Sequence, residues 1–187
     1  MYKNNEIIEK LKAGNRKYVE TGMNAGDVSD QIRKDTKENG QHPYAIVITC
    51  SDSRVIPEAI FSAGIGELFV IRVAGNVIGT HQLGSIEYAA AHLGTKVIMV
   101  LGHTNCGAVG AAMEGDGEGY IKYLTDEIKA AIGDEKDGYK ACGLNVKRSV
   151  GIIEKEFADH EEIKASEVDI IGAIYDIGDG HVDWISE

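Results

Sequence analysis

The chain has 187 residues, a length that fits one domain able to bury its own core without disulfide staples. Lys and Arg number 19 against 30 Asp and Glu, for a net charge of −11, which argues against tracking nucleic-acid phosphates or an anionic membrane. The three cysteines are odd in number and too few for a disulfide framework, and no apolar run approaches membrane-spanning length. The N-terminal stretch lacks the apolar core of a signal peptide, so the expectation is a cytoplasmic, single-domain protein.

In chain order, Asn5 is a candidate cap for a first helix, with Ile7, Ile8, Leu11 and Tyr18 along one stripe. A polar stretch from Thr21 to Gln41 reads as a loop holding a short helix around Asp27–Lys37. Residues 1–40 thus form a helical arm, and residues 41–187 an α/β core. Tyr44–Cys50 and Glu67–Ala74 are short, nearly continuous apolar runs, the pattern of strands buried on both faces. Ser85–Leu93 reads as a helix closed by Gly94, and Lys96–Gly102 as a third strand. Helical patterns follow at Tyr120–Ile132 and Asn145–Glu156. Asp169–Tyr175 is a fourth strand, and after the Gly178-Asp179-Gly180 turn, His181–Ile185 can pair back as an antiparallel edge. Strands alternating with helices predict an α/β fold: a mostly parallel central sheet flanked by helices, with that antiparallel edge strand near the C-terminus.

Two of these strands end in metal-ligating residues. Cys50 closes the first and is followed by Ser51-Asp52-Ser53-Arg54, while His103-Thr104-Asn105-Cys106 follows the third. Sites in open parallel sheets form beyond the carboxyl ends of the strands, so both sets should meet at one edge. Cys50, His103 and Cys106 suit Zn²⁺, and three protein ligands leave the open position a catalytic site needs. The bland alternative is a buried cysteine and a capping histidine at a strand–helix junction. For Asp52 and Arg54 the alternatives are a weak surface ion pair and a pair beside the metal. In the second case Arg54 competes with zinc for the Asp52 carboxylate, a pH-sensitive arrangement. Cys142 has no ligand partner nearby and reads as structural.

At these residues the sequence resembles a β-class carbonic anhydrase. Cys50–Val55 and His103–Ala108 are similar to that family's two signatures, and Gly66–Asn76, Ser85–Ala89 and Ile171–Asp176 match as well. The resemblance runs from about Asn5 to Trp184 and is weakest over Glu114–Tyr139. It implies one zinc ion per subunit on Cys50, His103 and Cys106, with Asp52 and Arg54 as a catalytic dyad. The implied reaction is reversible hydration of carbon dioxide to bicarbonate and a proton by zinc-bound hydroxide. Gln41, Phe69 and Tyr88 match positions that line the carbon dioxide pocket in the plant-like branch, and the Gly107 N–H is expected to orient substrate. The family's pocket lies at a dimer interface, so Gln41, Phe69 and Tyr88 are expected to serve the neighbouring subunit's zinc. The implied assembly is a homodimer, or a tetramer built from it, with the N-terminal helix across the partner. The family's closed branch carries a Trp three residues before the first zinc cysteine. Val47 stands there, so the open form is expected, with Asp52 on Arg54 at neutral pH. His42, His81, His92, His160 and His181 are candidate proton shuttles. A carbon disulfide or carbonyl sulfide hydrolase on the same fold, and a catalytically silent zinc-stabilised binding protein, remain the alternative functions.

Overall fold

The structure, a computed structural model, describes residues 4–115, 117–158, 160, 163 and 168–185. Its centre is a five-stranded sheet of β1 (Ala45–Thr49), β2 (Leu68–Arg72), β3 (Val97–His103), β4 (Asp169–Tyr175) and β5 (Val182–Ile185), in the order β2-β1-β3-β4-β5. The first four are parallel and β5 runs antiparallel to β4, with Ala173 opposite Trp184. This is the predicted class and the predicted edge strand.

Side chains alternate across a strand, and the core divides accordingly. Val47, Met99, Leu101 and Ala173 face one layer with Ile7, Leu11, Ile60 and Phe61. Ile46, Ile48, Ile98 and Val100 face the other with Ile86, Val146, Ile153 and Phe157. β1 and β3 are buried along their whole length, which is why both read as unbroken apolar runs.

On the first face lie α1 (Asn4–Thr21) and α3 (Pro57–Ile60), followed on the second by α4 (Thr80–Glu87) and α7 (Gly138–Phe157). The expected stripe of α1 is buried on its own chain's core at Ile7 and Leu11, with Ile8 and Tyr18 packed beside it. Asn15 continues the stripe as a buried polar residue. Its amide nitrogen donates to the Ile60 carbonyl at 3.3 Å and the Gly180 carbonyl at 2.9 Å, and its oxygen accepts from Val182 N–H at 3.1 Å. One side chain therefore joins α1 to α3 and to the start of β5. The short helix α2 (Asp30–Asn39) is capped by Ser29, whose hydroxyl accepts from Ile32 N–H.

Four elements differ from the sequence expectation, the first being the short α3, where the sequence predicts no helix. The helix predicted over Ser85–Leu93 begins earlier, at Thr80, and widens into a π turn over Tyr88–His92. α5 (Gly107–Glu114) and the first turns of α7 carry glycines that blur their stripe, and neither is legible before packing is known. α6 (Ile121–Ile132) lies where expected. Gly102 and Gly172 let α7 approach β3 and β4 closely: a Cβ on either would stand 2.6 or 2.8 Å from a Val146 methyl. This close seat of α7 brings its first half over the carboxyl ends of the strands.

Candidate metal centre

β1 ends one residue before Cys50, β3 ends on His103, and Cys106 is the residue from which α5 starts. Neighbouring parallel strands in register thus deliver the three side chains to one edge, as expected. All three are buried, and their donor atoms lie within 4.8 Å of one another.

The set fits a tetrahedral zinc ion. With Zn–S bonds near 2.3 Å, two tetrahedral thiolates stand about 3.8 Å apart, and the Cys50 and Cys106 sulfurs are 4.0 Å apart. His103 Nδ1 lies 2.9 Å from the Thr104 carbonyl, an acceptor only, so Nδ1 carries the proton and donates it there. Nε2 is left with its lone pair, fully buried and without a hydrogen-bond partner. An orphaned buried nitrogen beside two thiols is costly unless something binds it, and a metal ion answers that cost. The sulfurs are already unequal: the hydrogen bond with Cys106 lowers the Cys50 thiol, and the same bond with burial raises Cys106. Cys50 also accepts N–H bonds from Gly75 at 3.3 Å and Asp52 at 3.4 Å.

Asp52 stands beside this set with Oδ2 3.9 Å from His103 Nε2. Arg54 holds it by two points, Nε to Oδ1 at 2.9 Å and Nη2 to Oδ2 at 2.7 Å, and the Arg54 N–H adds a third bond at 2.9 Å. These Arg54 bonds keep the carboxyl well below the usual range, against the opposing effect of burial. The guanidinium is itself anchored on the Asn105 carbonyl at 3.1 Å, and Asn105 takes the left-handed φ of 53° that turns the carbonyl towards it. Arg72 ties down the same loop, donating to the Cys50 carbonyl at 3.2 Å and the Asp52 carbonyl at 2.6 Å. Arg72, Asn105 and Gly75 escaped sequence reasoning because each works through backbone groups, which leave no spacing signature. Membership in a matched motif, Gly66–Asn76 for Arg72 and Gly75 and His103–Ala108 for Asn105, was their only signal.

Gln41, Phe69 and Tyr88 lie apart from their own chain's triad. Phe69 pairs with Ile46, four residues before Cys50, so it lies about 13 Å down the sheet at 3.3 Å per residue. Tyr88 packs on Phe69, ring centres 6.2 Å apart, and is 48% exposed. Gln41 is exposed at the amino edge of β1, next to Gly66. Gly107 is exposed at the first position of α5, directly after Cys106. Val47 is fully buried in the core. Cys142, in α7, is a buried thiol that packs in the same cluster as Cys50 and Cys106, and burial pushes it up. Among the candidate shuttles, His181 leans on Asp179 at 3.3 Å, His160 on Glu87 at 3.6 Å, and His92 on the Tyr88 ring.

A mostly parallel α/β sheet with a buried Cys-His-Cys zinc set at the carboxyl ends of its strands, and the Arg54–Asp52 ion pair beside it, defines a zinc protein. Residues 45–182 match the family described as carbonic anhydrase. The chain is 35% identical over 181 residues to carbonic anhydrase 2 of Mycobacterium tuberculosis, across 91% of this chain and 87% of that protein. Among solved structures, the β-carbonic anhydrase CafA of Aspergillus fumigatus superposes with a TM-score of 0.70 at 27% identity, over 84% of this chain and 86% of that one. A Coccomyxa β-carbonic anhydrase in complex with acetazolamide shares the fold, with a TM-score of 0.73 at 22% identity over 98% and 86% of the two chains. The chain belongs to the carbonic anhydrase family, in its β class. Its activity is carbonic anhydrase activity, on carbon dioxide and bicarbonate, with Cys50, His103 and Cys106 as the zinc site. Among the described residues, no helix is long and apolar enough to cross a membrane.

Proposed function

We propose that this chain is a carbonic anhydrase of the open-site, plant-like branch, with Asp52 and Arg54 as its catalytic dyad. The observation that carries the reading is the two-point Arg54–Asp52 pair, in which the guanidinium engages both carboxylate oxygens while Oδ2 stands 3.9 Å from His103 Nε2. The buried Val47, where the closed branch carries Trp, supports it as well.

Zinc in this site supplies Lewis acidity that makes hydroxide available near neutral pH. The chain's residues do the rest. Asp52, ionised and fixed by Arg54, accepts the nucleophile's hydrogen bond and turns its lone pair towards carbon. Phe69 and Tyr88 give an apolar wall for carbon dioxide, the Gln41 amide donates to the developing bicarbonate oxygen, and the Gly107 N–H helps orient the substrate. Because Phe69 lies about 13 Å from its own triad along the strand, with Tyr88 packed on it and Gln41 ahead of β1, these three serve the partner's site in a homodimer. Tetrameric relatives from Sordaria macrospora, at 23% identity and a TM-score of 0.67 over 84% of this chain and 92% of theirs, make a dimer of dimers a natural larger assembly. We read the chain as a single domain. Its acidic composition and three free cysteines suit the reducing cytoplasm.

Stopped-flow carbon dioxide hydration on metal-analysed protein, from about pH 6.5 to about pH 9, tests this reading. Zinc-dependent hydration already substantial near neutrality is expected. Activity confined to the alkaline end would overturn the open-site assignment, and zinc-loaded protein with no hydration would overturn the dyad's catalytic role.

A further inference from the structure

We infer that Asn145, on α7, is a positioning residue for the Cys50 thiolate and acts on it through Gly75. Gly75 is gripped at both ends. Its N–H donates to Cys50 Sγ at 3.3 Å, and its carbonyl accepts from Asn145 Nδ2 at 2.7 Å. The residue takes a left-handed φ of 70°, and a Cβ there would stand 2.7 Å from Ile128 Cδ1 and 3.1 Å from Ala108 Cβ. It is therefore wedged between the sulfur, α5 and α6, and only its carbonyl is left to fix the orientation of the residue. Asn145 does that from the interior, 2% exposed and flanked by the buried Cys142 and Val146. A primary amide buried in an apolar helix face is costly unless bonded, and the amide here is bonded to the glycine whose N–H donates to the Cys50 sulfur.

The inference rests on the zinc assignment of the triad. Two thiolates load a metal with negative charge. An N–H bond to one of them draws off part of that charge and fixes the direction of the sulfur lone pairs, as outer hydrogen bonds do for other metal ligands. Loosening Gly75 would therefore weaken metal retention and make the metal a poorer Lewis acid. Ser149 offers a comparator one helical turn on: its hydroxyl donates to the Asn76 carbonyl at 3.0 Å, a buried bond of the same kind that does not lead to a sulfur.

The test uses zinc-loaded full-length protein and the variants Asn145→Leu, Asn145→Ala and Ser149→Ala. Zinc transfer to a chromophoric chelator is followed, together with the pH–rate profile of hydration and the thermal midpoint. Zinc release should quicken roughly ten- to hundredfold in both Asn145 variants, and the acid limb of their profile should move to higher pH. Ser149→Ala should lower the thermal midpoint with release rate and profile unchanged. Asn145 variants that lose stability like Ser149→Ala but release zinc at the parent rate, with the parent profile, would overturn the inference. If Asn145→Leu does not fold, the smaller Asn145→Ala decides by the same readouts. A parent that holds zinc without hydrating carbon dioxide would fault the proposed dyad and leave the zinc-release comparison standing.

Discussion

Arg54 and Asp52 meet at two points, Nε on Oδ1 and Nη2 on Oδ2, while Oδ2 also lies 3.9 Å from the unpaired Nε2 of His103. The carboxylate thus stands between a guanidinium and the metal-ligand set, and the guanidinium fork, helped by the Arg54 N–H on Oδ1, keeps it from turning. In Arg54→Ala the freed carboxylate is expected to take the metal's open position, and kcat/KM near neutral pH should fall about 100-fold with zinc retained. Arg54→Lys should restore only part of the loss, because one ammonium cannot hold both oxygens in a fork. Stopped-flow hydration paired with zinc analysis measures both effects. Loss of zinc together with activity in Arg54→Ala would show that the pair is structural.

Gly14 and Asn15 dock α1 on the body of the protein. A glycine in a helix interior ordinarily makes Gly→Ala stabilising by about 1 kcal/mol. Here a Cβ on Gly14 would meet the Phe61 carbonyl oxygen at 1.9 Å, a backbone atom that cannot swing aside. Gly14→Ala should therefore destabilise. Asn15→Leu should cost about 1–3 kcal/mol, since it leaves the Ile60 and Gly180 carbonyls and the Val182 N–H without their partner. Urea unfolding midpoints decide both, and a rise in stability for Gly14→Ala would show that α1 can lift away from α3.

Much of this arrangement was legible in the sequence. β1 and β3 declared themselves because they are buried on both faces, so Ala45–Ile48 and Val97–Gly102 had to be apolar or small. The triad was legible because parallel strands end at one edge, which turns separate residues such as Cys50 and His103 into neighbours. What stayed hidden was set by packing or by the backbone. The short α3 and the glycine-bearing α5 have too weak a stripe to stand out from loop. Arg72 reaches main-chain carbonyls, and Asn145 grips Gly75 from 70 residues away, contacts that no local pattern encodes. Gln41, Phe69 and Tyr88 are placed by β1, β2 and α4 far from their own triad, so only the family resemblance marks them.

Removing the metal should loosen the carboxyl edge of the sheet. Without it, Cys50 and Cys106 share a hydrogen bond, and His103 Nε2 keeps a buried lone pair with no partner. Ligand binding to the folded state alone adds stability by mass action. Chelator-treated protein should thus melt several degrees lower, regain its midpoint on stoichiometric Zn²⁺, and show faster amide exchange in the Cys50–Asp52 and Gly75 segments. Equal midpoints with and without zinc would mean that the triad is held fully by the protein.

Glu67 links α1 to the loop before β2. Lys10 donates to one of its oxygens at 2.9 Å and Gly64 N–H to the other at 2.7 Å, while the Lys10 ammonium also stands 3.8 Å from the centre of the Tyr44 ring. Burial alone would raise the Glu67 carboxyl, but the Gly64 and Lys10 bonds outweigh it and the group ends below its ordinary value of 4.5. A carboxyl depressed in the folded state stabilises the fold above its unfolded value, and that contribution is lost as pH falls through the folded one. Glu67→Gln should therefore be less stable than the parent at neutral pH, and the gap should close as the pH falls below 4.5, where the unfolded carboxyl is already half protonated, and on through the lower folded value. The side chain is 40% exposed, so the neutral-pH gap should be small and shrink with added salt. Urea midpoints of the two proteins across that range test the sign. A gap that is the same at neutral and acid pH would trace it to lost packing against Lys10 and Tyr44, with no part for the charge.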